Sequence, residues 1–372
     1  MRQKGAWSSA TYGARAAEVK RTGGTATYVG EQNVRSGKGL DSLVAPNERG
    51  VVRLAMNLMV PEGDKFNLKF GAAMPVKTGI DTTGSMGSNV DIAFRVQPKV
   101  QNLLVQGSNA VLKRYHTQMA TGVIQDVGDT FPYQVSQFEP DNEVERQMGL
   151  LAPQRGGGDA PEEYQLDILS TAYLTRSSIT EYGLRGYHFM VGDEQGRDNI
   201  ERELVERVFG GEALEKAGIS KMPTTKQAAN ALLKKWHAFF LQVDRDSRVT
   251  SWWTEVLGKD RIVALPRTED LAEVQAVIIG LTEGVLNLQS AFAFLEEAKV
   301  SPTNAARIVE ACSKIPLGLQ RTFPNFEKIP MAGSLFASRD DIWPIGSPEA
   351  KTKPREDSGV MPQGPTERKW KL

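Results

Sequence analysis

Apolar and polar positions divide this chain into a middle of alternating strand-like and helix-like segments and two ends without that alternation. Met74-Pro75-Val76-Lys77-Thr78-Gly79-Ile80 reads as a strand. Val90 to Val105 carries apolar residues at helical spacing (Val90, Ile92, Phe94, Val96, Val100, Leu103, Leu104), with a kink expected at Pro98. Tyr164 to Leu174 reads as a helix, with Pro161 in its first turn, where a missing N–H costs nothing. Tyr187-His188-Phe189-Met190-Val191-Gly192-Asp193 is an apolar strand ending in glycine and a carboxylate, and Trp236 to Val243 reads as a buried strand. Trp252 to Leu257 suits a helix, and Arg261 to Leu265 a short last strand. Asp270 to Leu286 closes the series as an amphipathic helix (Leu271, Val274, Val277, Ile278, Leu281, Val285). Strands alternating with helices predict an α/β fold: a doubly wound, mostly parallel sheet with helices on both faces.

The ends read differently. The first 50 residues are rich in Gly, Ser, Thr and Ala, and stretches such as Arg21–Thr25 and Arg35–Gly39 bury little, so a flexible or partner-dependent segment is expected. Val51 to Val60 is more apolar and is expected to pair with the sheet or pack against it. Leu288 to Ala298 and Asn304 to Ile315 read as two short helices, with Ser301 as N-cap and Pro302 as first-turn proline between them. The expected organisation is a flexible segment 1–50, a lead-in 51–72, an α/β domain 73–287, a helical extension 288–335 and a flexible tail 336–372.

Candidate chemistry sits at the ends of the strands. Asp81, Thr83 and Ser85, in Ile80-Asp81-Thr82-Thr83-Gly84-Ser85-Met86-Gly87, place a carboxylate and two hydroxyls on alternate residues of a strand-to-helix turn. Such hard oxygen donors suit Mg2+ or Mn2+, and Gly84 and Gly87 would let the backbone bend closely around an ion. Gly156-Gly157-Gly158-Asp159-Ala160-Pro161-Glu162-Glu163 leaves Glu162 at a glycine-shaped bend, free to point at a ligand. In an open parallel sheet the ligand crevice lies at the carboxyl ends of the strands, where Asp193 would arrive beside Asp81.

The order D-x-T-x-S-M-G, then G-G-G-D-x-P-E, then an apolar strand ending in G-D, resembles the von Willebrand factor A (VWA) domain over roughly residues 70 to 285. More narrowly, it resembles the VWA domains that write the second motif as D-x-P-E, as integrin β subunits and the VWA-linked alpha-kinases do. The resemblance implies a metal-ion-dependent adhesion site, in which an acidic group of a partner supplies the last metal ligand. Asp81, Thr83 and Ser85 match the first motif, Glu162 the glutamate of the second, and Asp193 the aspartate after the fourth strand. Asp159 lies where the integrin-like pattern has a carboxylate serving a neighbouring cation, which implies a place for a second ion. Many VWA domains carry threonine in the second loop, and this chain has none there. The function implied is a non-enzymatic interaction module that binds a partner's Asp or Glu through Mg2+ or Mn2+, beside an AAA+ ATPase or in a multi-subunit assembly. The alternative is a structural scaffold in a phage-like or secretion particle, with termini that wrap neighbours.

Composition narrows the setting. Lysine plus arginine and aspartate plus glutamate number 45 each among 372 residues, so no net charge draws the chain to nucleic acid or membrane. No apolar run approaches the ~18 residues of a membrane span, and the start has no hydrophobic core of a secretory signal. Cys312 is the only cysteine, which excludes an internal disulfide and suits a reducing compartment, so a cytoplasmic protein is expected. Gly30 to Lys38 fails as a phosphate loop, with Gln32 and Gly39 at required positions, and Ser85 lacks the glycine of a nucleophile elbow. His116, His188 and His237 show no zinc spacing, and Trp252-Trp253 and Cys312 read as core.

Overall fold

Nine consecutive buried residues, Ala73–Asp81, form the strand around which the chain is arranged. The computed structural model describes residues 6–21, 28–107, 110–157 and 161–344. Ahead of that strand come helices α1 (Ser9–Arg21) and α2 (Val29–Arg35) and strands β1 (Arg53–Ala55), β2 (Met59–Glu62) and β3 (Lys65–Leu68), which makes it β4. Next follow α3 (Asn89–Val105), β5 (His116–Ile124), β6 (Tyr133–Val135), α4 (Glu143–Met148), α5 (Tyr164–Tyr173), β7 (Thr175–Ser177), α6 (Ser178–Glu181) and β8 (Gly186–Gly192). The rest is α7 (Arg202–Phe209), α8 (Ala213–Lys216), α9 (Thr225–Lys235), β9 (Trp236–Gln242), α10 (Ser247–Leu257), β10 (Ile262–Ala264), α11 (Leu271–Glu283), α12 (Leu288–Glu297), α13 (Pro302–Ala311) and β11 (Leu335–Phe336).

The central sheet has six strands in the order β10-β9-β8-β4-β5-β6. All neighbours are parallel except the β5–β6 pair. A parallel sheet is covered on both faces, which is why β4, β5, β8 and β9 are buried along their whole length rather than at alternate residues. Strand parity then divides the core. Val76, Ile80, Phe189 and Leu241 pack with α3, α11, α12 and α13, whereas Ala120, Met190 and Phe240 pack with α5, α7, α9 and α10. The result is a mixed α/β fold with a mostly parallel central sheet.

The α5 face holds a buried polar cluster. Gly79 and Gly122 are register partners across β4–β5, and Lys77 and His188 across β4–β8. Asp167 of α5 descends into the space the two glycines leave: a Cβ on Gly79 would stand 2.2 Å from its Oδ2. Its Oδ1 pairs with Lys77 Nζ at 2.9 Å and accepts the Tyr133 hydroxyl at 2.8 Å, while His188 Nε2 donates to Oδ2 at 2.7 Å. Lys77 also donates to Tyr133 and Thr171, so its ammonium protons are all used.

Several expectations need correction. Pro161 lies outside α5, which starts at Tyr164 with Glu163 as its cap. Helix α11 is buried all round rather than amphipathic. It stops at Gly284 in the left-handed region, which leaves Val285 exposed. Of the two expectations for the lead-in, pairing with the central sheet is not met: β1 pairs with β7, and β2, β3 and β11 form a separate three-stranded sheet. Packing is met, with Val51 and Ala55 in the core beside Ala120 and Ile124. Within the first 50 residues, 35–38 are exposed, in keeping with the expectation, and 1–5 and 22–27 lie outside the described residues, but other parts are anchored to the core. Trp7 is buried with its indole near Asn102, Val44 is fully buried and accepts the Val135 N–H, and the buried Arg53 guanidinium donates to the Ala45 and Gly50 carbonyls. Ser301 does cap α13, with Pro302 in the first turn. Of the expected tail, Phe336 and Trp343 are buried, and 345–372 lie outside the described residues.

The C-terminal segment closes the amino ends of the strands. Gln320 joins His237 to the Arg185 carbonyl, and Arg321 donates to the Glu283 carbonyl. The Glu283 carboxyl accepts the hydroxyls of Tyr115 and Tyr187 at 3.0 and 2.7 Å. Burial pushes Glu283 from 4.5 up to about 7 despite both donors. A carboxyl whose folded pKa is raised contributes stability that is fully present below its unfolded pKa and lost as pH rises through the folded one. Glu283→Gln is therefore expected to stabilise the protein at pH 8 by about 1–3 kcal/mol and to confer no gain at pH 4.5. Urea unfolding of both proteins at the two pH values checks the sign.

Candidate functional site

Because β4, β5 and β8 are parallel, the loops that leave their carboxyl ends meet at one edge of the sheet. Asp81 ends β4 and is fully buried. The N–H and hydroxyl of Thr83 turn back and donate to Asp81 Oδ1 at 2.9 and 2.7 Å. A 3-10 turn over Gly84–Met86, closed by Gly87 at φ 49°, then brings Ser85 Oγ within 3.2 Å of Thr83 Oγ1. Ser85 donates in turn to Oδ1 of Asp193, the first residue past β8, at 3.1 Å. Glu162 is buried before α5, its N–H bonded to the Gln195 carbonyl at 3.1 Å and its carboxyl within hydrogen-bonding reach of Thr83. Asp81, Thr83, Ser85, Glu162 and Asp193 thus come together from three loops, and Asp159 lies outside the described residues. Of the two glycines, Gly87 is needed for its backbone angle. Gly84 is not needed for space, since a Cβ there would meet the Gly156 oxygen at an ordinary 3.5 Å.

Two partners of this cluster, and an ion pair beside it, escape sequence reasoning. The Tyr164 hydroxyl donates to Asp81 Oδ2 at 2.5 Å. It passes through space reserved by Gly192, where a Cβ would stand 1.7 Å from that hydroxyl and 2.9 Å from the Asp81 Cβ. Asp126, just past β5, is buried and raises the Glu162 pKa. Arg155 pairs with Asp91 in the first turn of α3. The sequence signal for Asp126 is its place just past a strand's carboxyl end. Tyr164 and Arg155 act through tertiary contacts and leave none. Trp253 is core, stacked on Phe240 at 4.1 Å, whereas Trp252 is half-buried against Gly196 and donates to Asp198. The three histidines are all buried away from this edge.

The electrostatics are one-sided. Burial pushes Asp81 up to about 6, against the Tyr164 and Thr83 donors. Burial, then repulsion from Asp81 and Asp126, pushes Glu162 up to about 8. Burial likewise raises Asp193. Among the described residues no group of three His, Cys, Asp or Glu side chains is arranged to hold a metal ion by itself. The donor set instead mixes two hydroxyls with carboxylates, as hard-cation sites do. Glu162 Oε2 is buried without a hydrogen-bond partner, an acceptor that a cation would satisfy. The residues present therefore fit a small divalent cation.

No family model and no curated protein matches this chain. Among solved structures it is similar to the pilus adhesin SpaC from Lactobacillus rhamnosus GG. One SpaC structure matches with 17% identity and a TM-score of 0.37 over 61% of this chain and 34% of that one. SpaC in an open conformation matches with 12% identity and a TM-score of 0.38 over 60% and 33%. Proximal thread matrix protein 1 from the mussel byssus matches with 9% identity and a TM-score of 0.34 over 57% and 48%. The chain thus spans between a third and a half of the length of these neighbours. Among the described residues no helix is long and apolar enough to cross a membrane.

Glu162→Gln replaces an unpartnered buried carboxylate oxygen among three aspartates by a neutral amide of the same shape. In chelator-treated protein at pH 8 this variant is expected to unfold at a higher temperature than wild type, by a margin of about 1–3 kcal/mol. Differential scanning calorimetry measures it, and a lower Tm would show that Glu162 is satisfied without a cation.

Proposed function

We propose that this chain is a VWA-type interaction module, in which Asp81, Thr83, Ser85, Glu162 and Asp193 hold one divalent cation and present it to an acidic group of a protein partner. The observation that carries the reading is the unbroken run Asp81–Thr83–Ser85–Asp193, which links two strand ends through hydroxyls, with the unpartnered Glu162 oxygen beside it. The strand order, with helices on both faces, also supports the finer reading of a doubly wound VWA sheet.

Each residue has a definable task. Asp81 is fixed at both oxygens, by Thr83 at Oδ1 and by Tyr164 at Oδ2, so its carboxylate is oriented before any ligand arrives. Thr83 and Ser85 offer hydroxyl lone pairs whose directions are set by the carboxylates that take their protons. Glu162 and Asp193 approach from two other loops and add their carboxylates to that of Asp81. Ser85 and Gly84 are exposed, so the first loop is open to a partner. When bound, a divalent cation supplies a Lewis-acidic point that takes a partner's Asp or Glu oxygen. Such a contact gives direction, and the surrounding surface gives specificity. The reading assigns no reaction to the chain. Its setting in an assembly, beside an AAA+ ATPase, follows from the resemblance alone.

Calorimetric titration of Mn2+ and Mg2+ into chelator-treated protein tests the proposal. Wild type is expected to bind one ion, and Asp81→Ala to bind at least about 100-fold more weakly. Equal binding, or none in either protein, would count against the site as an ion holder.

A further inference from the structure

The loop ahead of the second motif is held in place by residues far upstream. Gly30 of α2 donates its N–H to the Gly149 carbonyl at 3.1 Å. A Cβ on Gly30 would stand 1.9 Å from the Leu150 oxygen and 2.5 Å from that of Leu151, so this backbone-on-backbone contact requires glycine. Two residues earlier, the buried Tyr28 ring meets Phe94 edge-on at 5.1 Å, and its hydroxyl donates to Asp91 Oδ1 at 3.3 Å. The same Asp91 carboxylate receives both terminal nitrogens of Arg155, at 2.7 and 3.2 Å. Arg155 sits at φ 56°, a left-handed conformation that is unfavourable for a non-glycine residue and persists only where surrounding contacts impose it. The carbonyl of the next residue, Gly156, accepts the Gly84 N–H of the first loop at 2.7 Å.

We propose that Tyr28–Arg35 is a positioning strap for the carboxylate crevice. It holds Gly149–Leu151 from one side and Asp91 from the other. Between those two anchors the left-handed turn at Arg155 is fixed, and with it the carbonyl that holds the Gly84 amide beside Ser85. Gly30, Tyr28, Asp91 and Arg155 are thus positioning residues, and none of them belongs to the proposed ion-binding set. The strap goes beyond the proposed function, because the placement of the loops does not depend on what they bind.

Hydrogen exchange of the full chain, followed by mass spectrometry, tests the strap. Gly30→Val wedges a side chain against the Leu150 carbonyl, and Asp91→Ala removes the Tyr28 and Arg155 bonds at a partly exposed position without touching the core. In both variants, peptides spanning 82–88 and 149–157 are expected to exchange roughly tenfold faster, while peptides from β8 and β9 keep the wild-type rate. The Asp91→Ala arm decides if Gly30→Val does not fold. Unchanged exchange at 82–88 in Asp91→Ala, or acceleration there equal to that in β8 and β9, would overturn the proposal. The readout involves no cation, so a wild type that binds no Mn2+ would defeat the ion reading and leave the strap to be decided by exchange alone.

Discussion

The burial of Asp167 against Lys77 and His188 is the constraint on which the rest of the structure depends. A charged pair with no access to water costs several kcal/mol to desolvate, and is tolerated only when every donor and acceptor is well met. That condition fixes the geometry. Asp167 can reach Lys77, Tyr133 and His188 together only if β4 and β5 present glycines at Gly79 and Gly122, and only if α5 lies over that point of the sheet. Less than one helical turn before Asp167 stands Tyr164, bonded to Asp81, and just ahead of the helix stands Glu162. The cluster deep in the sheet thus sets the register in which the second loop meets the first.

The same arrangement explains why two kinds of carboxylate coexist. Asp167 has a buried cation beside it and is held well below the usual carboxylate range, so it is ionised and structural. Asp81, Glu162 and Asp193 gather at the edge with hydroxyls and like charges for company, and all three are pushed upward. Such a concentration of uncompensated acid is a stability cost in the free chain. Local destabilisation of this kind is characteristic of sites that await a ligand.

Much of this was legible in the sequence. Apolar runs identified β8 and β9, because parallel strands buried on both faces have little polar alternation to obscure them, whereas β5, equally buried but interrupted by His116, Thr117, Gln118 and Thr121, was not read. The first loop was legible because its donors are spaced i, i+2 and i+4, so local geometry suffices to bring them together. Asp193 was legible from its place at a strand's end. The unseen parts are tertiary. Nothing local links Tyr164 to Asp81, or Lys77 to Asp167. The N-terminal segment was read only in part, for a different reason. Its composition is that of a flexible chain, yet Trp7, Gly30, Val44 and the nearby Arg53 are individual anchors that an average over composition dilutes.

The central claim is that the five side chains at the sheet edge form an ion site. Crystals grown with Mn2+ in place of other divalent ions, with data collected at a wavelength where manganese scatters anomalously, address it directly. The account predicts an anomalous difference peak in the crevice bounded by Thr83, Ser85, Glu162 and Asp193. A map with no peak there, or with manganese only at other surface carboxylates, would contradict it.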